Sequence, residues 1–145
     1  MTTSTNAILY NLDRTVRVFG SPVPEFPMGI SDAFDRLMKS IPGGHARSYF
    51  GVSSFDSNGS IRYFVMAEET HDGEAKRLGF IPIVLPAGNY LTVSIKDWRT
   101  KTAEIAGVFD VLLKDRRIDR SMPCVEWYKS EEEMLCMIKT RETQN

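Results

Sequence analysis

The stretch "CVEWYKS" (124–130) is typical of a β-strand, because Val, Trp and Tyr cluster in it and no residue breaks an extended backbone. Side chains alternate across a strand, so Glu126 and Tyr128 share one face, while Val125 and Trp127 share the other. The face of Glu126 is either wetted by solvent, as on many antiparallel strands, or part of a binding site. The segments around this strand favour one of these two interpretations.

These surrounding segments show the same order of elements twice. Strand, helix and hairpin occur once in residues 7–68 and again in residues 78–140. Apolar residues at helical spacing predict one helix over 28–41 and another over about 100–117. In the first half, "RSYFGVS" (47–53) occupies the place that "CVEWYKS" has in the second half. The order of elements therefore indicates an internal repeat.

Each half has one helix and too few strands to bury its apolar face alone, so the halves should pack together as one domain, 1–145. We predict an α+β fold with one antiparallel sheet and two pseudo-symmetric strand-helix-hairpin repeats. Both helices are expected on one face of the sheet and a ligand pocket on the other. The junction between two such halves is a natural place for a ligand.

The face opposite the helices is predicted to carry the site. Asn58-Gly59 is a strong hairpin signal, and a two-residue turn there places Gly51 opposite Met66. The aliphatic positions of the strands, with Val125 and Trp127, are then expected to face the helices. Trp98, at a strand-to-helix junction, is either a lid over the pocket or a core anchor. The other side chains predicted to form the ligand site are Tyr49, Phe64, Met66, Tyr90, Glu126 and Tyr128.

Three segments resemble a known family: "IPIVLPAGNYLTVSIKDW" (81–98), "VFDVLLKD" (108–115) and "MPCVEWYKSEEEMLCMIK" (122–139). They are similar to the GyrI-like small-molecule-binding domain, which is also the effector-binding domain of multidrug-responsive bacterial transcription activators. That family has an "I-P-A-G-x-Y" strand and a "P-x-F-E-x-Y" segment near its end. The resemblance implies two repeats with a pocket between them. It also implies that Glu126 is the pocket carboxylate and that Tyr90 and Tyr128 are pocket tyrosines.

A carboxylate among aromatic rings attracts a flat or lipophilic cation, through charge pairing and the negative faces of the rings. Met66 and Met134 would let the pocket walls adapt to several ligand shapes, as multidrug binding requires. We therefore expect a stand-alone small-molecule-binding protein that senses or sequesters lipophilic, cationic or aromatic compounds. The alternative is an enzyme, because some stand-alone relatives resemble hydrolases of electrophilic cyclopropane-type toxins. There Glu126 would activate water and Tyr90 would donate a proton, without a cofactor.

Composition argues against several other functions. A net charge of -1 gives no basic stripe for nucleic acid, and no apolar run approaches the roughly 20 residues that span a bilayer. The first residues lack the pattern of a secretory signal, and the two cysteines lack metal-type spacing, so we expect a cytoplasmic protein with reduced thiols. Neither histidine lies on an apolar face, so no metal or cofactor is expected. A role in transcription regulation would need a separate protein partner, and a homodimer is equally compatible with the sequence.

Overall fold

The structure, a computed structural model, describes residues 7–141, and the predicted domain 1–145 extends past this range at both ends. One eight-stranded antiparallel sheet and three α-helices confirm the predicted α+β fold. The helices are α1 (Ile30–Ser40), α2 (Glu74–Arg77) and α3 (Ile105–Leu112). The strands are β1 (Ile8–Leu12), β2 (Val16–Pro22), β3 (Tyr49–Phe55), β4 (Ile61–Glu68), β5 (Ile83–Leu85), β6 (Gly88–Lys96), β7 (Cys124–Tyr128) and β8 (Glu133–Lys139). None of the helices in the described range is long and apolar enough to cross a membrane.

The strand order has an internal symmetry. It runs β1-β6-β8-β7-β3-β4-β2-β5, so β2, β4 and β3 approach the centre in the same sequence as β6, β8 and β7. At the centre, β3 and β7 pair antiparallel, with Gly51 opposite Glu126. β1 pairs with β6 of the second half, and β5 pairs with β2 of the first half. Each half thus contributes one edge strand to the other half.

The predicted helices are present, although the second is shorter than its apolar spacing indicates. α1 lies within the predicted range 28–41, whereas α3 occupies only the central part of 100–117. Two short 3-10 turns, 98–100 and 102–104, precede α3. After its end, the Asp115 carboxylate accepts a hydrogen bond from the backbone N–H of Arg117 at 2.9 Å. Such local bonds compete with the helical pattern and explain the early end.

Both principal helices lie on the same face of the sheet, as predicted. Leu37 of α1 belongs to one core cluster with Tyr49, and Phe109 of α3 belongs to another with Cys124. Strand pairing places Ser53 opposite Cys124, and Ser53 lies on the same face of β3 as Tyr49. The two helices therefore stand side by side over β3 and β7.

The opposite face has a core of its own, and Val125 and Trp127 face this core, not the helices as predicted. Val125 packs with Val16 of β2 and Tyr90 of β6, and Trp127 packs against this cluster. β2 and β6 are far apart in the strand order, so their contact requires the sheet to curl. The curl buries the second face without a covering helix. Apolar residues such as Val125 are therefore buried on that face although no helix packs on it.

A buried ion pair holds the connection between the halves. Arg47 donates hydrogen bonds to both carboxylate oxygens of Glu74 in α2, at 2.7 and 2.8 Å. The same guanidinium donates to the backbone carbonyls of Pro42 and Glu68. Arg47 and Glu74 are both buried, so the pair replaces the water that each charged group loses on folding. Residues 73–80, which follow the first half, are anchored through this contact.

Candidate functional site

Glu126 lies on the helix-covered face of β7, at the pseudo-symmetric centre of the sheet. Its partner across the strand pair is Gly51, which leaves room for the carboxylate. A Cβ atom on residue 51 would lie 2.0 Å from the Tyr63 hydroxyl oxygen and 2.7 Å from Glu126 Oε1. Real atoms do not approach so closely, so glycine at this position is what allows Tyr63 to reach Glu126.

Two tyrosine hydroxyls converge on one oxygen of this carboxylate. Tyr63 donates to Glu126 Oε1 at 2.7 Å, and Tyr128 donates to the same oxygen at 2.5 Å. Among the described residues, no donor bonds to Oε2. A fully enclosed oxygen without a partner would be recognisable as such, and Oε2 is not one of these enclosed atoms. The second oxygen is therefore accessible from the neighbouring crevice, which Glu126 lines.

The three groups have unusual ionisation properties. Burial raises the pKa of Glu126 above its ordinary value, and the hydrogen bonds from Tyr128 and Tyr63 oppose this by stabilising the carboxylate. Burial, with the nearby negative charge of Glu126, raises the pKa of Tyr63 and of Tyr128 far above that of a free phenol. The tyrosines hence remain hydrogen-bond donors, and Glu126 is the group of the three that changes its charge.

A crevice of about 1290 Å³ opens above Glu126, between α1 and α3. Phe26 stacks on the Tyr63 ring, with ring centroids 4.9 Å apart. Phe34 of α1 and Trp98, which precedes α3, contact the Tyr128 ring from two sides, at centroid distances of 5.3 and 4.9 Å. The floor of the crevice thus carries an ionisable carboxyl group, and its walls are aromatic.

Four of the seven predicted site residues line this crevice: Tyr49, Trp98, Glu126 and Tyr128. Tyr49 donates its hydroxyl hydrogen to the backbone carbonyl of Gly44 at 2.7 Å, so its ring rather than its hydroxyl faces the crevice. Trp98 donates its indole N–H to the carbonyl of Ser130 at 3.0 Å, in agreement with a position at the crevice wall. The structure thus brings these four predicted residues together at one crevice.

The other three predicted residues, Phe64, Met66 and Tyr90, lie in the core of the opposite face. Their own orientation, away from the helices, is as predicted; the wrong step was to place Tyr49, Glu126 and Tyr128 on that same face. Tyr90 also donates its hydroxyl hydrogen to Pro86, so it cannot act with Glu126. The pocket lies on the same side as the helices because the carboxylate side of β7, not the Trp127 side, faces them.

Tyr63, Gly51, Phe26 and Phe34 belong to the site but were missed from the sequence. The hairpin between β3 and β4 pairs Ser53 with Tyr63, which requires a loop one residue longer than a two-residue turn. Asp56 provides the signal for this loop: its carboxylate accepts the N–H groups of Asn58 and Ser60, at 2.9 and 3.0 Å. A three-residue loop ending in glycine is a standard hairpin alternative.

Other reactive groups near the crevice are not activated. Burial raises the pKa of the Cys124 thiol to about 11, so this residue is a protonated, weakly nucleophilic thiol at neutral pH. Within residues 7–141, no cluster of three or more His, Cys, Asp or Glu side chains is arranged to hold a metal ion. Glu126 with its two tyrosines is therefore the candidate reactive group at the floor of the crevice.

Several solved structures share this architecture. An integron cassette protein from the mobile metagenome of Vibrio cholerae superposes with a TM-score of 0.67 at 14% identity, over 93% of this chain and 95% of that chain. SAV2435, solved bound to tetraphenylphosphonium, gives a TM-score of 0.63 at 12% identity, over 94% of each chain. A Staphylococcus aureus protein described as a candidate bacterial transcription regulator gives a TM-score of 0.59 at 11% identity, over 94% of this chain and 99% of that chain.

Sequence comparison adds no family assignment. No protein-family model matches the chain, and no curated protein matches it. At identities of 11 to 14%, the structural likeness establishes a shared fold and no shared function, because unrelated functions occur on one fold. The chain thus has the fold of small bacterial proteins, one of which was solved with a lipophilic cation.

Proposed function

We propose that the protein is a GyrI-like small-molecule-binding module that takes up lipophilic cations in the crevice between α1 and α3. The observation that carries this proposal is the buried Glu126 carboxylate, 9% exposed, at the floor of an aromatic crevice with one oxygen left open. Tyr63 and Tyr128 satisfy Oε1, and Oε2 provides the counter-charge for a ligand. A desolvated carboxylate attracts a cation more strongly than an exposed one does.

The aromatic walls supply the second part of the affinity. A cation over the face of Phe, Tyr or Trp gains about 0.5–2 kcal/mol, with the larger value in a dry site. Phe34 and Trp98 are half-buried and offer ring surface beside Tyr128. A lipophilic cation with aromatic substituents would contact the rings while its charge lies near Glu126. A neutral ligand would gain the ring contacts alone.

The likeness to SAV2435 supports this ligand class, because that protein of the same fold was solved with tetraphenylphosphonium. The likeness to a candidate transcription regulator supports a sensing role. On this basis the module senses or sequesters such compounds in the cytoplasm, and regulation would proceed through a protein partner or a homodimer.

The experiment is a calorimetric titration of tetraphenylphosphonium and of neutral triphenylphosphine oxide into the wild type and Glu126→Gln. Loss of the charge should weaken binding of the cation by roughly 10- to 100-fold and binding of the neutral compound much less. The matched control is Asp110→Asn, which removes an exposed carboxylate at the crevice rim, where solvent screens it. Equal affinity of the wild type and Glu126→Gln for the cation would contradict the proposal.

The hydrolytic alternative is tested in the same samples. With Tyr90 on the opposite face, the tyrosines left beside Glu126 to donate a proton are Tyr63 and Tyr128, whose raised pKa values make both weak acids. Mass spectrometry of each bound compound after incubation, including an electrophilic cyclopropane, measures turnover directly. Turnover by the wild type that is abolished in Glu126→Gln would show that the protein is an enzyme and not only a binding module.

A further inference from the structure

The floor of the crevice differs on the two sides of Glu126. On one side, the neighbouring pair of residues across β3 and β7 is Tyr49 with Tyr128, and two phenol rings fill the floor. On the other side the pair is Ser53 with Cys124, whose small side chains leave space and also line the crevice. The crevice therefore continues from the carboxyl group as a trough over this small pair.

Two large apolar side chains lie at the far end of this trough. Phe55 of β3 is paired with Ile61 of β4, next to the polar hairpin loop 56–60. Phe55 is two residues beyond Ser53 on the same face of β3, and both members of the apolar pair line the crevice. They are 58% and 49% exposed. A ligand that follows the trough would remove this apolar surface from water.

The walls beside the trough are aromatic. Phe26, which precedes α1, stacks on Tyr63, and Tyr63 is two residues from Ile61 on the same face of β4. From the other side, Phe109 of α3 packs in one cluster with Cys124. Phe26 and Phe109 both line the crevice. The trough thus offers a continuous apolar path away from the carboxyl group.

Charged side chains lie at the opposite end of the crevice. Arg47 precedes β3, whereas Lys129 and Glu131 follow β7, so all three are beyond the tyrosine pair and line the crevice there. Asp35 and Asp110, on the two helices, are exposed at the rim, where solvent screens their charges. The floor is therefore polar on one side of the buried carboxyl group and apolar on the other.

We propose that the trough is a subsite for a linear alkyl chain, so that the crevice prefers amphipathic cations with the head group at Glu126 and the chain on Phe55 and Ile61. Phe55 is four residues from Gly51, the partner of Glu126, which corresponds to about 13 Å along the strand. An extended dodecyl chain has about this length. This inference rests on the proposed function for the position of the head group, and it adds the class of cation.

The test is a calorimetric titration of the wild type with butyl-, octyl-, dodecyl- and hexadecyltrimethylammonium, each below its micelle-forming concentration. Affinity should rise by about 2- to 4-fold for each buried methylene up to dodecyl. It should then level off, because a longer chain passes beyond the apolar pair into solvent. No rise with chain length, or an equal rise through hexadecyl, would overturn the proposal.

Matched double variants locate the chain. Phe55→Ser with Ile61→Ser removes the end of the trough and should lower the affinity for the dodecyl compound by about 10-fold, with the butyl compound unchanged. The control, Ile8→Ser with Leu9→Ser, removes two side chains of β1 that are 58% and 52% exposed and lie outside the crevice lining. It should leave the whole series unchanged. Equal losses in both double variants, or no loss in the first, would contradict the proposal.

Glu126→Gln distinguishes this inference from the proposed function. Removal of the charge should weaken binding of the butyl and dodecyl compounds by the same factor, whereas the substitutions at Phe55 and Ile61 affect the long chain alone. If Glu126→Gln changed nothing while the dodecyl compound still depended on Phe55, the chain subsite would stand and the proposed function would fail. If Glu126→Gln weakened every compound and the double variant none, the chain subsite alone would fail.

Discussion

Two opposing influences set the pKa of Glu126, and on the proposed function their balance links cation binding to pH. Burial favours the neutral acid, whereas the hydroxyls of Tyr63 and Tyr128 favour the carboxylate; burial is the stronger, so the pKa is raised. A raised carboxyl pKa means that stability of the empty protein is fully present in acid and declines as pH rises through that pKa. Cation affinity should change in the opposite direction, because it needs the carboxylate.

The first prediction concerns Tyr63→Phe, which removes one of the two donors to Oε1 and keeps the ring that stacks on Phe26. The carboxylate loses stabilisation, so the pKa of Glu126 should rise further. The midpoint of tetraphenylphosphonium binding should then move to higher pH, with little change in affinity at the alkaline plateau. Isothermal titration across a pH series measures both quantities. A lower plateau with an unmoved midpoint would mean that Tyr63 acts through contact alone.

The second prediction concerns Gly51→Ala. The added Cβ would lie 2.0 Å from the Tyr63 hydroxyl oxygen, so Tyr63 must move and its bond to Glu126 is lost. We expect a loss of about 1–3 kcal/mol in the free energy of unfolding, together with weaker cation binding. The double variant with Tyr63→Phe lacks the clashing oxygen, so alanine should cost less in it. Strictly additive costs in denaturant unfolding would show that the clash is relieved elsewhere.

At the scale of elements, strand and helix positions follow from the sequence better than their faces do. The helical spacing of Phe34 and Leu37 predicted α1, and the glycine at position 59 predicted the β3–β4 hairpin. The one-residue difference in loop length reversed the face assigned to all of β3, because side chains alternate with a period of two. Tyr49 was consequently placed on the wrong side of the sheet.

The orientation of β7 could not be derived from local pattern. Val125 and Trp127 are its more apolar face, and in a two-layer fold such a face would be turned to the helices. Here the curl of the sheet provides a second apolar environment, which results from contacts between strands distant in sequence. The resemblance to the GyrI-like family predicted Glu126 and Tyr128 as pocket residues and gave no information about Tyr63.

The third prediction belongs to α2. Arg47 holds the pKa of Glu74 at about 2, below its ordinary value, so the ion pair's contribution to stability is present above the unfolded pKa and is lost as pH falls towards 2. Glu74→Gln leaves a buried guanidinium without its charge partner and should cost about 3 kcal/mol at neutral pH. The free energies of unfolding of the wild type and of Glu74→Gln should therefore become similar in acid. Unfolding in guanidinium chloride at pH 3 and at pH 6 measures the difference in stability between the two proteins. An equal difference at both pH values would contradict the role of the ionised pair.

For the whole molecule, the pseudo-symmetry explains where the site lies. β3 and β7 meet at the centre, and α1 and α3 stand over them from the two halves. Gly51 comes from the first half and Glu126 from the second, so the carboxylate occupies space that the other repeat leaves free. The crevice is therefore a product of both repeats, and neither half alone forms it.

The last prediction follows from this division between the halves. Phe34 of the first half and Trp98 of the second both contact Tyr128, so a ligand that spans the crevice should touch both. Phe34→Leu and Trp98→Leu should each weaken binding of tetraphenylphosphonium by about 2- to 10-fold and binding of triphenylphosphine oxide by less, because the cation loses its attraction to the ring face as well as the contact area. Val111→Ala, on the exposed side of α3, is the control. A loss in only one of the two wall variants would place the ligand within one half, and a loss confined to the cation would assign these rings to charge recognition.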